Sequence, residues 1–300
     1  MTFSVIGFDP RDGSLGYAVQ SHFLAVGSVV ARAEAGVGVV VSQAFANTDW
    51  PHLGIELLRQ GRAPDQVVRS LVAADPLAEY RQLLVMDGSG RSAEHHGHAC
   101  APEVSRALDA TSCAAGNMLA SDAVAPAMLL DGPTDQPLVR RLVASLRAAE
   151  AAGGDARGSQ SAAVTVVSGR RTETPWREVL ADLRVDDHPD PVAELERLLP
   201  IQEGFAAVGA ALFAAPLVIG ARTDIDTGRA AAMIERLGAA AALLGDNREA
   251  DLWRAVVALR SGRTELGRAA MSELVRDRPG LAGFVRGLAD VGILRPEEIA

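Results

Sequence analysis

The chain has 300 residues, 48% hydrophobic and 22% charged, with a formal net charge of −9. That is the composition of a globular protein, long enough to bury one large core or two smaller ones. Every basic residue is Arg and none forms a basic stripe, which argues against nucleic-acid binding, and the acidic balance argues against anionic membrane surfaces.

In chain order, the N-terminus lacks the basic start and long apolar run of a signal peptide. No run reaches the ~18 apolar residues that span a bilayer, and the apolar stretch 205–219 is interrupted by Pro216. A soluble, cytoplasmic protein is expected. Thr2 to Phe8 is β-rich and ends at Asp9-Pro10-Arg11-Asp12-Gly13, a turn, after which Leu15 to Ser21 returns. Val26 to Ala31 and Val37 to Gln43 read as two more strands. The unbroken apolar run Val37 to Val41 predicts a strand covered on both faces. Helices are predicted over Gly54 to Gln60 and Pro64 to Ala74, stopped by Asp75-Pro76. Arg81 to Met86, the turn 87–90 and Ser92 to Ala99 form a second hairpin, and Ala110 to Ala115 is a strand running into Gly116-Asn117-Met118-Leu119.

Two further helices are predicted over Ser121 to Leu130 and Pro137 to Ala152, the second closed by Gly153-Gly154. Gln160 to Val167 and Leu180 to Val185 read as strands, and Asp190-Pro191 opens a helix as N-cap and first turn. Tight hairpins demand antiparallel pairing, so an α+β class is expected and a doubly wound parallel sheet is disfavoured. From residue 203 the pattern is purely helical: Gly228 to Leu244, Arg248 to Ser261, Thr264 to Asp277 and Gly280 to Val291, separated by short breaks. The expected division is therefore 1–202 and 203–300. The stretch 246–292 looks like a tetratricopeptide-type helix pair with Trp253 and Ala270 at packing positions, fewer repeats than a free-standing solenoid needs.

Several segments, in order, resemble the family called domain of unknown function 1028. They are Thr2-Phe3-Ser4-Val5 with Asp9-Pro10; Ala25-Val26-Gly27; Ala35-Gly36-Val37-Gly38 with Gln43 and Asn47; Gly116-Asn117-Met118-Leu119; Gly153-Gly154-Asp155 with Arg157 and Gln160-Ser161-Ala162; and Leu183-Arg184-Val185-Asp186-Asp187-His188. The resemblance implies a fold similar to the Ntn hydrolases, a four-layer αββα sandwich of antiparallel sheets, with the all-α region appended. It also implies a candidate chemistry. In an Ntn hydrolase the side chain of the first mature residue attacks, and the free α-amino group, with a pKa of about 7.7–8.0, is the base. Thr2 would become that residue if Met1 is removed; otherwise it is a β-branched residue opening a strand.

Ser4 shares a strand face with Thr2 and is either a second nucleophile candidate or a hydrogen-bonded core serine. Acyl transfer needs donors for a developing oxyanion. Asn117, Gln43 and Asn47 stand near strand ends and are candidates, each with the alternative of capping its own backbone. Asp155 and Arg157 lie in a Gly-rich loop before the strand opened by Gln160 and Ser161; Arg157 would clamp a substrate carboxylate or pair internally. His22 beside Ser21 reads as a surface residue, and Asp186-Asp187-His188 as caps and turns. On a strand, His96, His98 and Cys100 would share a face, but no fourth ligand is near, so no metal site is expected. The glycines form no phosphate fingerprint, and no cofactor is expected. Cys100 and Cys113 are expected as reduced thiols, with one bridge left open.

The expectation is thus a hydrolase cleaving a non-peptide C–N amide-type bond of a small molecule, with a homodimer plausible. Its rivals are a non-catalytic small-molecule-binding scaffold of the same fold and a protein-interaction role carried by the tail.

Overall fold

Strand β1 (Thr2–Phe8) turns through Asp9–Gly13 into β2 (Leu15–Ser21). Asp9 holds the turn by accepting both the backbone and the guanidinium of Arg11, and Gly13 takes φ 75, a conformation strained for any residue with a Cβ. Next come β3 (Ala31–Glu34), β4 (Gly38–Ala44), α1 (Trp50–Arg59), α2 (Pro64–Ala74), β5 (Arg81–Asp87) and β6 (Ser92–His96). They are followed by β7 (Ser105–Leu108), β8 (Ser112–Asn117), the single turn α3 (Val124–Ala127), α4 (Leu138–Ala151), β9 (Ser161–Val167) and β10 (Val179–Val185). The rest is helical: α5 (Pro191–Leu212), α6 (Thr227–Leu244), α7 (Glu249–Arg260), α8 (Thr264–Asp277), α9 (Leu281–Asp290) and α10 (Pro296–Ile299). The computed structural model describes residues 2–130 and 135–299; Met1, whose removal the expected Thr2 chemistry requires, lies outside them.

The strands form a six-stranded sheet in the order β10-β9-β2-β1-β8-β7 and a four-stranded sheet in the order β3-β4-β5-β6. Every ladder between these strands is antiparallel. Alternation along each strand sends side chains to opposite faces. Ile6, Tyr17, Val19, Cys113 and Ala163 of the large sheet share one core with Val39, Val41, Leu84 and Met86 of the small one. Val40, Leu83 and Val85, on the small sheet's other face, pack under α1 and α2 through Trp50, Ile55, Leu58, Val67 and Leu71. On the large sheet's other face α4 lies against β1, β2 and β9. There a Cβ on Gly7 would stand 2.5 Å from Leu130 Cδ1, so that leucine packs in the space the glycine leaves. The run Val37 to Val41 is thus covered on both faces.

Three local expectations are corrected and one strand is added. Val26–Ser28 is a 3-10 turn rather than the start of a strand: Ala25 is left-handed at φ 52, and Ser161 Oγ captures the Val26 N–H. Pairing begins only at Ala31. The predicted helix 121–130 shrinks to α3, where Pro126 supplies no N–H and Ser112 Oγ takes the Leu130 N–H. β6 stops at His96, not Ala99, because its partner β5 begins at Arg81: Gly97 N–H donates to the Arg81 carbonyl, and the Ala99 and Cys100 amides then turn to Glu79 O and Gly97 O. His98 and Cys100 therefore share no strand face with His96. β7 has no apolar run to announce it and went unread in the sequence.

Two compact units emerge, Met1–Arg197 and Leu198–Ala300, so the division falls inside α5. In the second, Ala230, Ile234, Leu237, Val256, Leu259, Met271, Leu274, Val285 and Leu288 form a continuous core. The buried Arg260 closes it, donating to the carbonyl oxygens of Pro216, Leu217, Gly220 and Ile293. Among the described residues no helix is long and apolar enough to cross a membrane. Cys100 and Cys113 are both free thiols.

Candidate functional site

The core between the sheets is apolar at one end and polar at the other. Along β1 the face that carries Ile6 goes on to Ser4 and Thr2. Across the ladders Thr2 pairs with Ser21 and with Asn117, and Ser4 with Val19 and Ala115. On the small sheet the face of Val41 and Leu84 continues to Gln43, Gln82 and His96, which stand in register. Stacking the sheets brings these side chains together. Ser4, Gln43, Gln82 and Asn117 have no exposure and Thr2 only 7%.

Hydrogen bonds tie the group into one network. Ser4 Oγ donates to Gln43 Oε1 at 2.7 Å. Gln43 Nε2 donates to Gln82 Oε1 at 3.0 Å and to the Ala115 carbonyl at 3.1 Å. Gln82 Nε2 donates to the Gly116 carbonyl at 3.0 Å and lies 3.2 Å from His96 Nδ1. Asn117 Nδ2 donates to Gln82 Oε1 at 2.9 Å and to the Thr2 carbonyl at 3.3 Å. The hydroxyls of Thr2 and Ser21 are 3.1 Å apart. Both amide hydrogens of Gln43 and of Asn117 are thereby engaged, and neither side chain has one left for an oxyanion. What remains is an acceptor: Asn117 Oδ1 is buried without a hydrogen-bond partner, a costly condition in a dry site.

The network's outer margin is charged. Glu94 Oε2 lies 3.2 Å from His96 Nε2 and 3.5 Å from Cys113 Sγ, and Glu94 Oε1 lies 3.2 Å from Arg106. His96, against the opposing pull of burial, holds the Glu94 carboxyl below its ordinary range, with help from Cys113 and Arg106. Burial, with the Glu94 charge second, pushes the Cys113 thiol far up, so it stays protonated.

Of the other candidates, Asn47, Asp155 and Arg157 are held by partners outside the Thr2–Gln82 network, and Gln160 and Ser161 meet it through Ser21. Asn47 gives Nδ2 to Asp75 at 2.8 Å and takes the Asp49 amide, making the turn into α1. Asp155, whose side chain is fully buried, accepts the backbone of His22 and of Arg157, and the Arg157 guanidinium lies 3.4 Å away, an internal pair. Gln160 donates its side chain to Asp187 and its backbone to the Ser21 carbonyl. Ser161 stands beside Ser21 in the ladder and spends its hydroxyl on Phe23 O and Val26 N. His98 pairs with Glu79 and Cys100 Sγ donates to the Arg81 carbonyl. Among the described residues no group of three His, Cys, Asp or Glu could hold a metal ion.

Gln82 and Glu94 carry no motif that singles them out in the sequence, where His96 stands out only as a metal-ligand candidate and Ser21 only as the neighbour of His22. One signal was available: Gln82 interrupts the apolar alternation of Leu84 and Met86, as Gln43 interrupts that of Val39 and Val41. A polar residue on the buried face of an otherwise apolar strand is the mark of an internal network.

Fold and site define a mixed α+β protein whose two antiparallel sheets enclose a buried polar site at the start of a central strand, with a C-terminal helical region. Residues 2–195 match the model of DUF1028, described as a family of unknown function, and the chain belongs to that family. Protein SPO2555 from Silicibacter pomeroyi, a crystal structure assigned to the same family, is 34% identical; the match covers 66% of this chain and 87% of that one, with a TM-score of 0.59. Anbu, the ancestral beta-subunit from Yersinia bercovieri, is 15% identical over 72% of this chain and 97% of its own, at a TM-score of 0.31, too weak a likeness to carry an argument. No curated protein matches.

Proposed function

We propose that the first unit is an Ntn-hydrolase-like four-layer αββα sandwich and that the protein hydrolyses a C–N amide-type bond of a small molecule, with Thr2 as nucleophile once Met1 is removed. The observation that carries this reading is the unpaired Asn117 Oδ1 beside Thr2. A free α-amino group on Thr2, the ladder partner of Asn117, would carry hydrogens that the main-chain amide does not have and would offer this buried acceptor a new donor. In the proposed reaction Thr2 Oγ1 bonds to the carbonyl carbon and its proton passes to the α-amine. The proton then moves to the leaving nitrogen as the C–N bond breaks, and water hydrolyses the ester. Ser4, hydrogen-bonded to Gln43, is the supporting hydroxyl and the fallback nucleophile. Gln160 and Ser161, which meet Ser21, and Asp155, which holds the adjoining His22 backbone with Arg157 paired to it, are proposed to shape the substrate's approach, whereas Asn47 holds the turn into α1.

The test is intact mass combined with an electrophilic amide-mimicking probe. The expected result is Met1 absent and the probe on Thr2, with labelling abolished in Thr2→Ala and kept in Ser4→Ala. Met1 retained in active protein would sink the mechanism.

A second reading keeps the fold without the chemistry, as a small-molecule-binding scaffold. It is favoured by the closure of the site, where Thr2 is 7% exposed and the donors of Gln43 and Asn117 are already engaged. In the tail, Trp253 of α7 packs edge-on to Phe284 of α9 and Ala270 packs on the core, which supports reading about 246–292 as tetratricopeptide-like; that this region takes a protein partner is a further proposal.

A further inference from the structure

The main chain dictates the direction of every amide in the inter-sheet network. The carbonyl oxygens of Thr2, Ala115 and Gly116 can only accept, so Gln43 Nε2, Gln82 Nε2 and Asn117 Nδ2 must be the atoms that face them. Gln82 Oε1 then receives one hydrogen from Gln43 and one from Asn117. The second hydrogen on Gln82 Nε2 points to one remaining acceptor, His96 Nδ1, 3.2 Å away. Nδ1 must present a lone pair there, so the neutral ring carries its proton on Nε2. Nε2 faces Glu94 at 3.2 Å, close enough for attraction though not aligned as a hydrogen bond.

A proton on Nδ1 would set two donors against each other. Turning the Gln82 amide to relieve this would bring its oxygen against Gly116 O and its nitrogen against the donors of Gln43 and Asn117. The imidazole therefore either completes the arrangement that the main-chain carbonyls dictate, by presenting a lone pair, or opposes it, by presenting a proton. Its side chain is only 10% exposed, yet it also lines a surface pocket of about 390 Å³ with Asp75, Glu79, His95 and His98, which gives protons a way in. The charged and titratable groups around the ring are Glu94 on its own strand, those four pocket residues, and, through Glu94, Arg106 of β7 and Cys113 of β8.

We propose that His96 is the positioning residue of the Thr2 site: neutral and protonated on Nε2, it locks Gln82, Gln43 and Asn117 in the one orientation that leaves Asn117 Oδ1 as the acceptor beside Thr2, and its protonation from the pocket releases that lock. The consequence for Thr2 rests on the nucleophile reading; the tautomer and the lock do not.

The test is nitrogen NMR of the full chain labelled at histidine, His96 being assigned by through-bond correlation to its backbone. At neutral pH the expected ring has a pyridine-like Nδ1 and a pyrrole-like Nε2. On acidification its conversion to imidazolium should coincide with loss of slow hydrogen exchange at the Gln82 and Asn117 side-chain amides. His96→Asn, whose Oδ1 stands as far along the side chain as Nδ1 and accepts the same hydrogen, should keep those amides protected through the whole titration, while His96→Leu should lose the protection at every pH. A pyrrole-like Nδ1, or an imidazolium that forms while the amides stay protected, overturns the proposal. If His96→Leu fails to fold, the wild-type tautomer and titration still decide. Probe labelling separates the two ideas: the expected tautomer with an unreactive Thr2 defeats the nucleophile reading alone, and a reactive Thr2 with the other tautomer defeats this one alone.

Discussion

At the scale of single residues, Gln82 is the hub. Replacing it by Leu removes the acceptor shared by Gln43 and Asn117 and the donor to Gly116 O, stranding several buried polar groups at once. Each stranded group costs about 1–3 kcal/mol, and neighbours do not add fully. Gln82→Leu is expected to lower unfolding stability by about 3 kcal/mol, measured by denaturant titration. Thr2, Ser4, Gln43 and Asn117 were legible as candidates because each lies in a segment with a recognisable pattern. Their common network was not, because it forms only when Gln43 and Gln82 of one sheet meet Ser4 and Asn117 of the other. No spacing along the chain encodes that stacking. Asn47 had the same outward signature as Asn117 and serves a turn, since Asp75 claims its amide.

At the scale of elements, the hairpins were readable because their turns satisfy themselves locally. Asp87 accepts from Ser89 N, Ser89 Oγ, Arg91 N and Arg91 Nε, closing β5 on β6. Burial opposes the charge, but the bonds from Ser89 and Arg91 win and hold the carboxyl below its ordinary value. A folded pKa below the unfolded one means the stabilisation is complete above about pH 4 and is lost as the pH falls through the folded value. Asp87→Asn should therefore be less stable near neutrality and show a shallower loss on acidification, as read by unfolding midpoints at several pH values. The misread segments 26–31 and 121–130 share a different cause: side chains from distant strands, Ser161 and Ser112, take backbone N–H groups that local pattern would have spent on regular structure. Gly16 tests the strand pairing itself. A Cβ there would stand 2.2 Å from the Thr165 carbonyl oxygen, so Gly16→Ala should cost several-fold more stability than Gly61→Ala, where nothing lies within 4 Å and only φ strain of about 1 kcal/mol is added.

At the scale of the whole chain, the family match ends near the division between the two units, at residue 195 against Arg197. The second unit is stabilised on its own terms. Arg260 is 4% exposed and lowered in pKa by burial, with the nearby Arg222 charge second, yet carbonyl oxygens surround its guanidinium. Arg260→Met is expected to cost about 3 kcal/mol in thermal or chemical unfolding, since the carbonyls lose a charged donor and gain no other.

The burial of Thr2 has one more consequence, because this sequence contains no lysine. An amine-selective acylating reagent then has a single kind of target, the α-amino group at the start of the chain. Its labelling rate in the native state, set against the rate in denaturant, becomes a kinetic gauge of that one nitrogen. An amine freed at Thr2 and sheltered between the sheets should react far more slowly folded than unfolded, and equal rates would place it in open solvent.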